Sequence, residues 1–281
     1  MMRVDLHCHS RFSAHPSEWF LQRIGARESY TEIEMLYSQA KSRGMTHVTV
    51  TDHNTIEGAS LLVEAHPEDT FVSMEATAYF PEDGCKVHVL VYDIDQSQFE
   101  VIQEARTDIY KLREYLRREQ IACSVAHATY SVNGRLSRET LEKLVLLFDV
   151  FEGINGARGV LHNRMLNNVL RSLTPEDVNR LQEKHGIEPW GERSWIKGLT
   201  AGSDDHAGLF IGRTHTVAPA CTSVAEFMRC LKDKDTEIAG SHGSHKALAF
   251  ATYKIAYDFS QEKTPSGVEG PLSMLSTIPR G

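Results

Sequence analysis

His7 and His9 stand two residues apart in the segment DLHCHS. On a strand, that spacing puts both imidazoles on one face, side by side, and turns Cys8 to the other face as a packed thiol. Further along, TVTDHN presents His53, SMEATA presents Glu75, KVHVLVY presents His88, SVAHAT presents His127, and AGSDDH presents Asp204 and His206. His15 lies in the loop after the first pair. Taken singly, each histidine reads as a hydrogen-bonded core residue. Taken together they make nine nitrogen and oxygen donors, and burying Glu75 and Asp204 among them without cations would be costly. A polynuclear metal centre is therefore expected. Its ligands are imidazole and carboxylate without thiolate, which suits Zn, Mn, Fe or a mixture rather than a structural thiolate site.

Such donors need a scaffold that brings them to one place. Short β-branched and apolar runs at residues 4–9, 46–52, 70–76, 86–92, 121–127, 150–154 and 199–203 read as seven strands. Helical patterns fill the intervals at 31–42, 57–65, 97–120, 137–148, 160–172 and 174–185. Thr31, Ser137 and Thr174 stand where helix caps belong, the last followed by Pro175. Residues 223–231 and 245–259 read as two closing C-terminal helices. The alternation predicts parallel pairing and βα units, in an open sheet or a closed barrel. No GxGxxG follows the first strand, which removes the usual nucleotide-binding argument for an open sheet. Most donors fall at carboxyl ends of strands, the end that carries the active site in parallel α/β folds. Residues 1–259 are expected to form one domain, and the Ser-, Pro- and Gly-rich residues 260–281 a flexible tail or linker.

Composition narrows the partners. Hydrophobic residues are 41% and charged residues 24% of 281, which excludes a disordered or fibrous chain. Thirty Lys and Arg against 38 Asp and Glu leave a net charge of −8, so a nucleic-acid partner is not expected. Five cysteines, an odd number without a CxxC, argue against a disulfide framework and fit a reducing cytoplasm. Asp5 interrupts the apolar run that a leader would need, and no apolar stretch approaches ~20 residues. A cytoplasmic protein without membrane contact is expected.

The segments DLHCHSRFS, TVTDHN, Glu75 with His88, His127 and GSDDH occur in order across residues 5–206. In this combination they resemble the PHP family, named for polymerase and histidinol phosphatase. The resemblance implies a distorted seven-stranded (β/α) barrel and three metal positions. His7, His9, Glu75 and Asp204 would hold the first. Glu75 as bridge, His88 and His127 would hold the second. His15, His53 and His206 would hold the third. Many members carry Asp directly after the serine of HxHSxxS, where this chain has Ala14; others carry His one place later, as His15 does. Asp52 would orient His53 or a neighbouring ligand, or cap the turn before Asn54.

Two cations about 3.5–4 Å apart can share a hydroxide and lower its pKa toward neutrality. In-line attack on phosphorus, with cations facing the phosphoryl oxygens, is the reaction such a cluster favours. The expected function is a phosphatase-type phosphoesterase, dependent on two or three divalent transition metals, acting on a small phosphorylated metabolite. Glu75, Asp204, His206 and Arg213 are expected to carry catalysis. Arg213 in IGRTHT could fork a phosphate, and His215, His242, Asn155 and Arg158 are further candidate substrate contacts. Arg23, with Trp19 and Phe20 in the long loop 10–30, could clamp a substrate or belong to a small core of its own. Two alternatives stand beside this reading. One is a nuclease or a phosphatase of 3′-phosphorylated nucleotides, against which Lys and Arg do not cluster. The other is a non-catalytic metal-binding module serving a partner or a domain attached beyond the tail, against which the ligand set is intact.

Overall fold

The computed structural model describes residues 1–13 and 27–263. Its strands are β1 (Met2–Val4), β2 (Ser73–Tyr79), β3 (Lys86–Tyr92), β4 (Ala122–Val125), β5 (Val150–Asn155), β6 (Gly198–Gly202), β7 (Thr214–Ala218) and β8 (Glu237–Gly240). Its helices are α1 (Ile33–Ser42), α2 (Glu57–Ala65), α3 (Gln96–Ala105), α4 (Ile109–Arg118), α5 (Arg138–Leu147), α6 (Val160–Ser172), α7 (Pro175–His185), α8 (Val224–Asp233) and α9 (His245–Lys263). A five-stranded sheet runs β2-β3-β4-β5-β6 and a three-stranded sheet runs β1-β7-β8.

The all-parallel expectation is corrected. β2 pairs antiparallel with β3, and β3 antiparallel with β4; only β4–β5 and β5–β6 are parallel. The connection from β2 to β3 passes through PEDG and is far too short for a crossover helix, so a hairpin is the only solution. The first expected strand is also divided. Met2–Val4 pairs antiparallel with β7, whereas residues 6–9 lie between two other segments. Leu6 N bonds to Ala201 O, Asp204 N to His7 O and His9 N to Asp205 O on one side; Thr51 N bonds to Cys8 O on the other. Residues 48–54 then bond to 69–75 through Val48 N to Asp69 O, Glu75 N to Asp52 O and Asn54 N to Glu75 O. These are isolated bridges rather than ladders.

Alternation along the strands separates core from site. Met74, Ala76 and Ala78 of β2 and Val87, Val89 and Val91 of β3 pack with Ile102, Leu112, Leu144 and Leu166 of the covering helices. Glu75 and His88 therefore face the opposite side. On that side Leu90 and Tyr92 join Val4, Leu6 and the α8 residues Phe227 and Leu231. The same face that is apolar at one end thus carries the donors at the other.

Most helices follow the sequence. α2 and α6 have the expected bounds, and Ser137 and Thr174 each form a capping box. Thr31 does not cap α1; Glu32 stands at the cap position and makes no side-chain cap bond. The single helix expected over 97–120 is two, because Asp108 turns extended and caps a fresh start by accepting from Tyr110 N. α9 continues through Lys263, so residues 260–263 are helix, and the rest of the expected tail lies outside the described residues. Among the described residues no helix is long and apolar enough to cross a membrane.

One buried ion pair ties the covering layer to the sheet. Lys197 Nζ donates to Val145 O (2.7 Å), Phe148 O (2.8 Å) and Asp149 Oδ1 (2.8 Å), and burial pushes its pKa down to about 8. It satisfies carbonyls left open at the end of α5. Lys197→Met is expected to cost about 3 kcal/mol of stability, because it breaks a buried pair and strips those carbonyls of their donor. Urea unfolding of metal-free protein measures this; a loss below ~0.5 kcal/mol would mean the pair is dispensable.

Candidate metal centre

The centre is built from the ends of six chain segments. Asp5 fixes the first: its carboxylate accepts from Ser203 N (2.8 Å) and Gly212 N (2.7 Å), and burial still lifts its pKa to about 6. Beyond it His7 and His9 share a face while Cys8 turns away, its thiol donating to Thr49 O. β6 passes so close that a Cβ on Gly202 would collide with His7 Cβ and N, so only glycine fits there. His127 and Asp204 hold positive φ, 29° and 51°. Each position carries strain of order 1 kcal/mol, and each is held by its own amide: His127 N donates to Glu152 Oε2 (2.8 Å), Asp204 N to His7 O (2.6 Å).

Glu75 lies at the middle. Its Oε2 is 3.2 Å from His7 Nε2, 3.3 Å from His9 Nε2 and 3.1 Å from His53 Nδ1. Its Oε1 is 2.7 Å from His88 Nδ1 and 3.3 Å from His127 Nε2. Asp204 Oδ1 completes the first group, 3.3 Å from His7 Nε2 and 3.5 Å from His9 Nε2. One carboxylate thus faces two donor groups with separate oxygens, an arrangement that would let it bridge two cations. His206 stacks on His9, ring centroids 3.9 Å apart, and His9, His53 and His206 form a further group able to hold a cation. His15 and Arg23 lie outside the described residues.

The donors fit cations. His7 Nε2, His9 Nε2, His53 Nδ1, His88 Nδ1, His206 Nε2 and both Glu75 oxygens are buried without a hydrogen-bond partner, a concentration that a folded protein does not tolerate idly. Burial pushes His88 down to about 4, and burial with His9 alongside does the same to His206, so both rings present lone pairs at neutral pH. Burial alone would raise Glu75, but His53, His88 and His7 hold it well below the usual carboxylate range. Against burial, the Asp204 and Glu75 carboxylates beside it raise His9 to about 10.

Several supporting residues escaped the sequence reading. Glu152, from the buried strand β5, accepts at Oε1 from His7 Nδ1 (2.9 Å), which leaves Nε2 for the centre. A carboxylate inside a buried strand was a signal for it. Asp52, expected to orient His53 or a neighbouring ligand, accepts from Ser13 Oγ (2.9 Å), which contacts His9 Nδ1 (2.9 Å), so it acts on the neighbour, His9. Glu28, from a loop with no motif, lies 3.2 Å from His53 Nε2 and 3.5 Å from His206 Nε2. Its backbone N–H bonds to Ser13 O (3.1 Å), stapling the chain where it returns beside the first ligands.

The expected substrate contacts divide. Arg158 stands at the centre: Nη2 is 3.6 Å from Asp204 Oδ2, the guanidinium lies over Tyr130 at 3.6 Å, and Nε is buried without a partner. Asn155 instead spends its amide hydrogens on Glu152 (2.9 Å) and Asp204 (3.0 Å), so it orients the Asp204 carboxylate. His242 is one step behind, 2.9 Å from Asn163, which bonds to Asn155. Gly212, bonded to Asp5, turns the chain into β7, and the Arg213 side chain is exposed over Phe210, which lines the cavity beside the centre. His215 sits in β7 opposite Ala239. A cavity of about 280 Å³ opens beside the centre, with Arg158, Asp204 and His206 on one side and Leu248, Ala251 and Ile255 of α9 on the other.

Loading the metal-free protein with Mn²⁺ or Zn²⁺ at 1,000-fold over Kd is expected to stabilise it by about 4 kcal/mol, a Tm rise on the order of 10 °C. His9, raised to about 10, carries a proton at neutral pH that a cation must displace, so uptake releases protons and affinity falls as pH is lowered. Calorimetry in two buffers of different ionisation heat, beside melting curves with and without chelator, checks both. Glu75→Ala is expected to abolish both responses, and a parent Tm indifferent to metal and chelator would sink the assignment.

No family model matches the chain, and no curated protein matches it. Among solved structures it aligns with PsfC from Pseudomonas syringae PB-5123 at 14% identity and TM-score 0.47, over 92% of this chain and 98% of that one. A Bifidobacterium adolescentis protein assigned as a metal-dependent phosphoesterase aligns at 17% identity and TM-score 0.44, over 83% and 96% of the two chains. An amidohydrolase from Chromobacterium violaceum, with bound sulfate and no metal, aligns at 15% identity and TM-score 0.46, over 84% and 97%.

Proposed function

We propose that this chain is a metal-dependent phosphoesterase of the PHP type that hydrolyses a small phosphorylated metabolite. The observation that carries the reading is the pairing of a carboxylate-bridged donor cluster with a partner-poor arginine at the mouth of one cavity. His7, His9, Glu75 and Asp204 would hold one cation, and Glu75, His88 and His127 a second. Bound there, divalent cations would lower the pKa of water and neutralise charge on phosphoryl oxygens. The ring of segments from β6 through residues 6–9 and 48–54 to β2 supports a distorted barrel, as the resemblance implies.

The chain's own groups supply the rest. Arg158 has a free Nε–H beside Asp204, and a guanidinium so placed forks a phosphoryl oxygen. Tyr130 holds its plane from behind. Asn155 and Glu152 keep Asp204 and His7 aimed at the centre. The α9 wall offers Leu248, Ala251 and Ile255 to the leaving group and displaces water from the cavity. A volume of about 280 Å³ suits a metabolite-sized ligand rather than a polymer, and the net charge of −8 offers no footprint for a polyanion.

Metal-reconstituted protein assayed against a panel of small phosphomonoesters, oligonucleotides and simple amides tests the reading. Small phosphomonoesters are expected to turn over fastest. Arg158→Ala is expected to lower kcat/KM by ~100-fold, about 2.7 kcal/mol, with Arg158→Lys recovering part of it. Faster turnover of oligonucleotides at low salt would favour a nuclease. Amide hydrolysis without phosphoester hydrolysis, or no turnover by fully metallated protein, would overturn the reading.

A further inference from the structure

The third group of donors lacks something the first two have. Glu75 and Asp204 bring negative charge to the first two positions, but His9, His53 and His206 are imidazoles alone. A divalent cation held beside two others by neutral rings only would be repelled with little to offset it. We propose that Glu28 is the anionic ligand of a third cation, which it holds together with His53 and His206. The proposal rests on the donor cluster and not on the phosphoesterase reading.

Geometry comes first. Glu28 Oε2 is 3.2 Å from His53 Nε2 and Oε1 is 3.5 Å from His206 Nε2. Donors bound at about 2.0–2.2 Å to one cation stand roughly 2.8–3.6 Å apart at octahedral or tetrahedral angles. The Glu28 side chain is only 7% exposed, so both separations belong to a buried, water-poor site.

Hydrogen bookkeeping gives the second argument. His206 Nδ1 is 3.1 Å from the Asp204 carbonyl, which can only accept, so Nδ1 carries the hydrogen and Nε2 presents a lone pair. That lone pair faces a carboxylate oxygen of Glu28. His53 repeats the conflict, with Glu75 at its Nδ1 (3.1 Å) and Glu28 at its Nε2 (3.2 Å). A neutral imidazole has one N–H and cannot donate to both carboxylates, so either a proton or a cation must serve them. Facing electron pairs repel, and a cation between them makes the same arrangement favourable.

The backbone delivers Glu28 to this point. Its N–H bonds to Ser13 O, and Ser29 Oγ donates to His9 O (3.2 Å), so Glu28 is tied to the strand end that carries His9. The resemblance assigned the third position through His15. Glu28 supplies the charge that an imidazole at 15 would not, which also answers the departure at Ala14.

Metal counting on the full chain decides the matter. Parent, Glu28→Ala, Glu28→Gln and His15→Ala proteins are loaded with excess Mn²⁺, desalted and analysed for metal per chain, with circular dichroism as a fold check. The parent is expected to retain three equivalents and both Glu28 variants two; Glu28→Gln decides if Glu28→Ala does not fold. Mn²⁺ resonance spectra should change in step, since one member of a coupled cluster is gone. Loss in His15→Ala as well would add His15 to the same cation and leave the proposal standing. Three equivalents retained by a folded Glu28 variant, or only two in the parent, would overturn it. A parent that binds three cations but hydrolyses no phosphoester would defeat the functional reading alone.

Discussion

A carboxylate buried among five imidazoles cannot be arranged by packing. Glu75 has both oxygens turned toward ring nitrogens of His7, His9, His53, His88 and His127. Neutral rings offer it too few hydrogens, and protonated rings would repel one another at these distances. Shared positive charge resolves both problems. Much of the surrounding structure follows from the need to bring these groups together and hold them there while the charge is absent.

The holding is done by polar groups behind the ligands. Glu152 ties His7 to the backbone of His127 and to Asn155, and Asn155 passes the constraint to Asp204. Ser13 and Asp52 do the same for His9, and a Cβ on Gly58 would collide with Asp52 Oδ2 and Ser10 Oγ, so glycine is required beside that carboxylate. Ligands on different strands are thereby linked through short hydrogen bonds that do not involve the centre. Such preorganisation lowers the entropy lost when a cation binds.

Much of this was legible in the sequence, for identifiable reasons. Period-two spacing placed His7 and His9 on one face and Cys8 on the other, and nearness to strand ends singled out most of the remaining donors, although Glu75 and His88 lie inside β2 and β3. The helices at 57–65 and 160–172 carried a clear apolar period and were read to the residue. Strand direction was not legible from alternation alone, although PEDG between β2 and β3 was a hairpin signal that outweighs it. The break at Asp108 was hidden because apolar spacing on both sides stays in phase. Glu28 carried no local signal at all: its place depends on a bond to Ser13 across fifteen positions of chain. The exposed setting of Arg213 over Phe210 was hidden as well, because nearness in sequence to Asp204 and His206 says nothing about the turn that Asp5 imposes on Gly212.

The bond between Glu28 N and Ser13 O also makes the placement of one donor depend on another. Ser13 Oγ contacts His9 Nδ1 and donates to Asp52, while the carbonyl of the same residue receives the Glu28 amide. One residue thus governs two donors by separate routes, the aim of His9 through its hydroxyl and the placement of Glu28 through its backbone. Replacing Ser13 by alanine would cut the first route and spare the second, so the two donors can be disturbed one at a time.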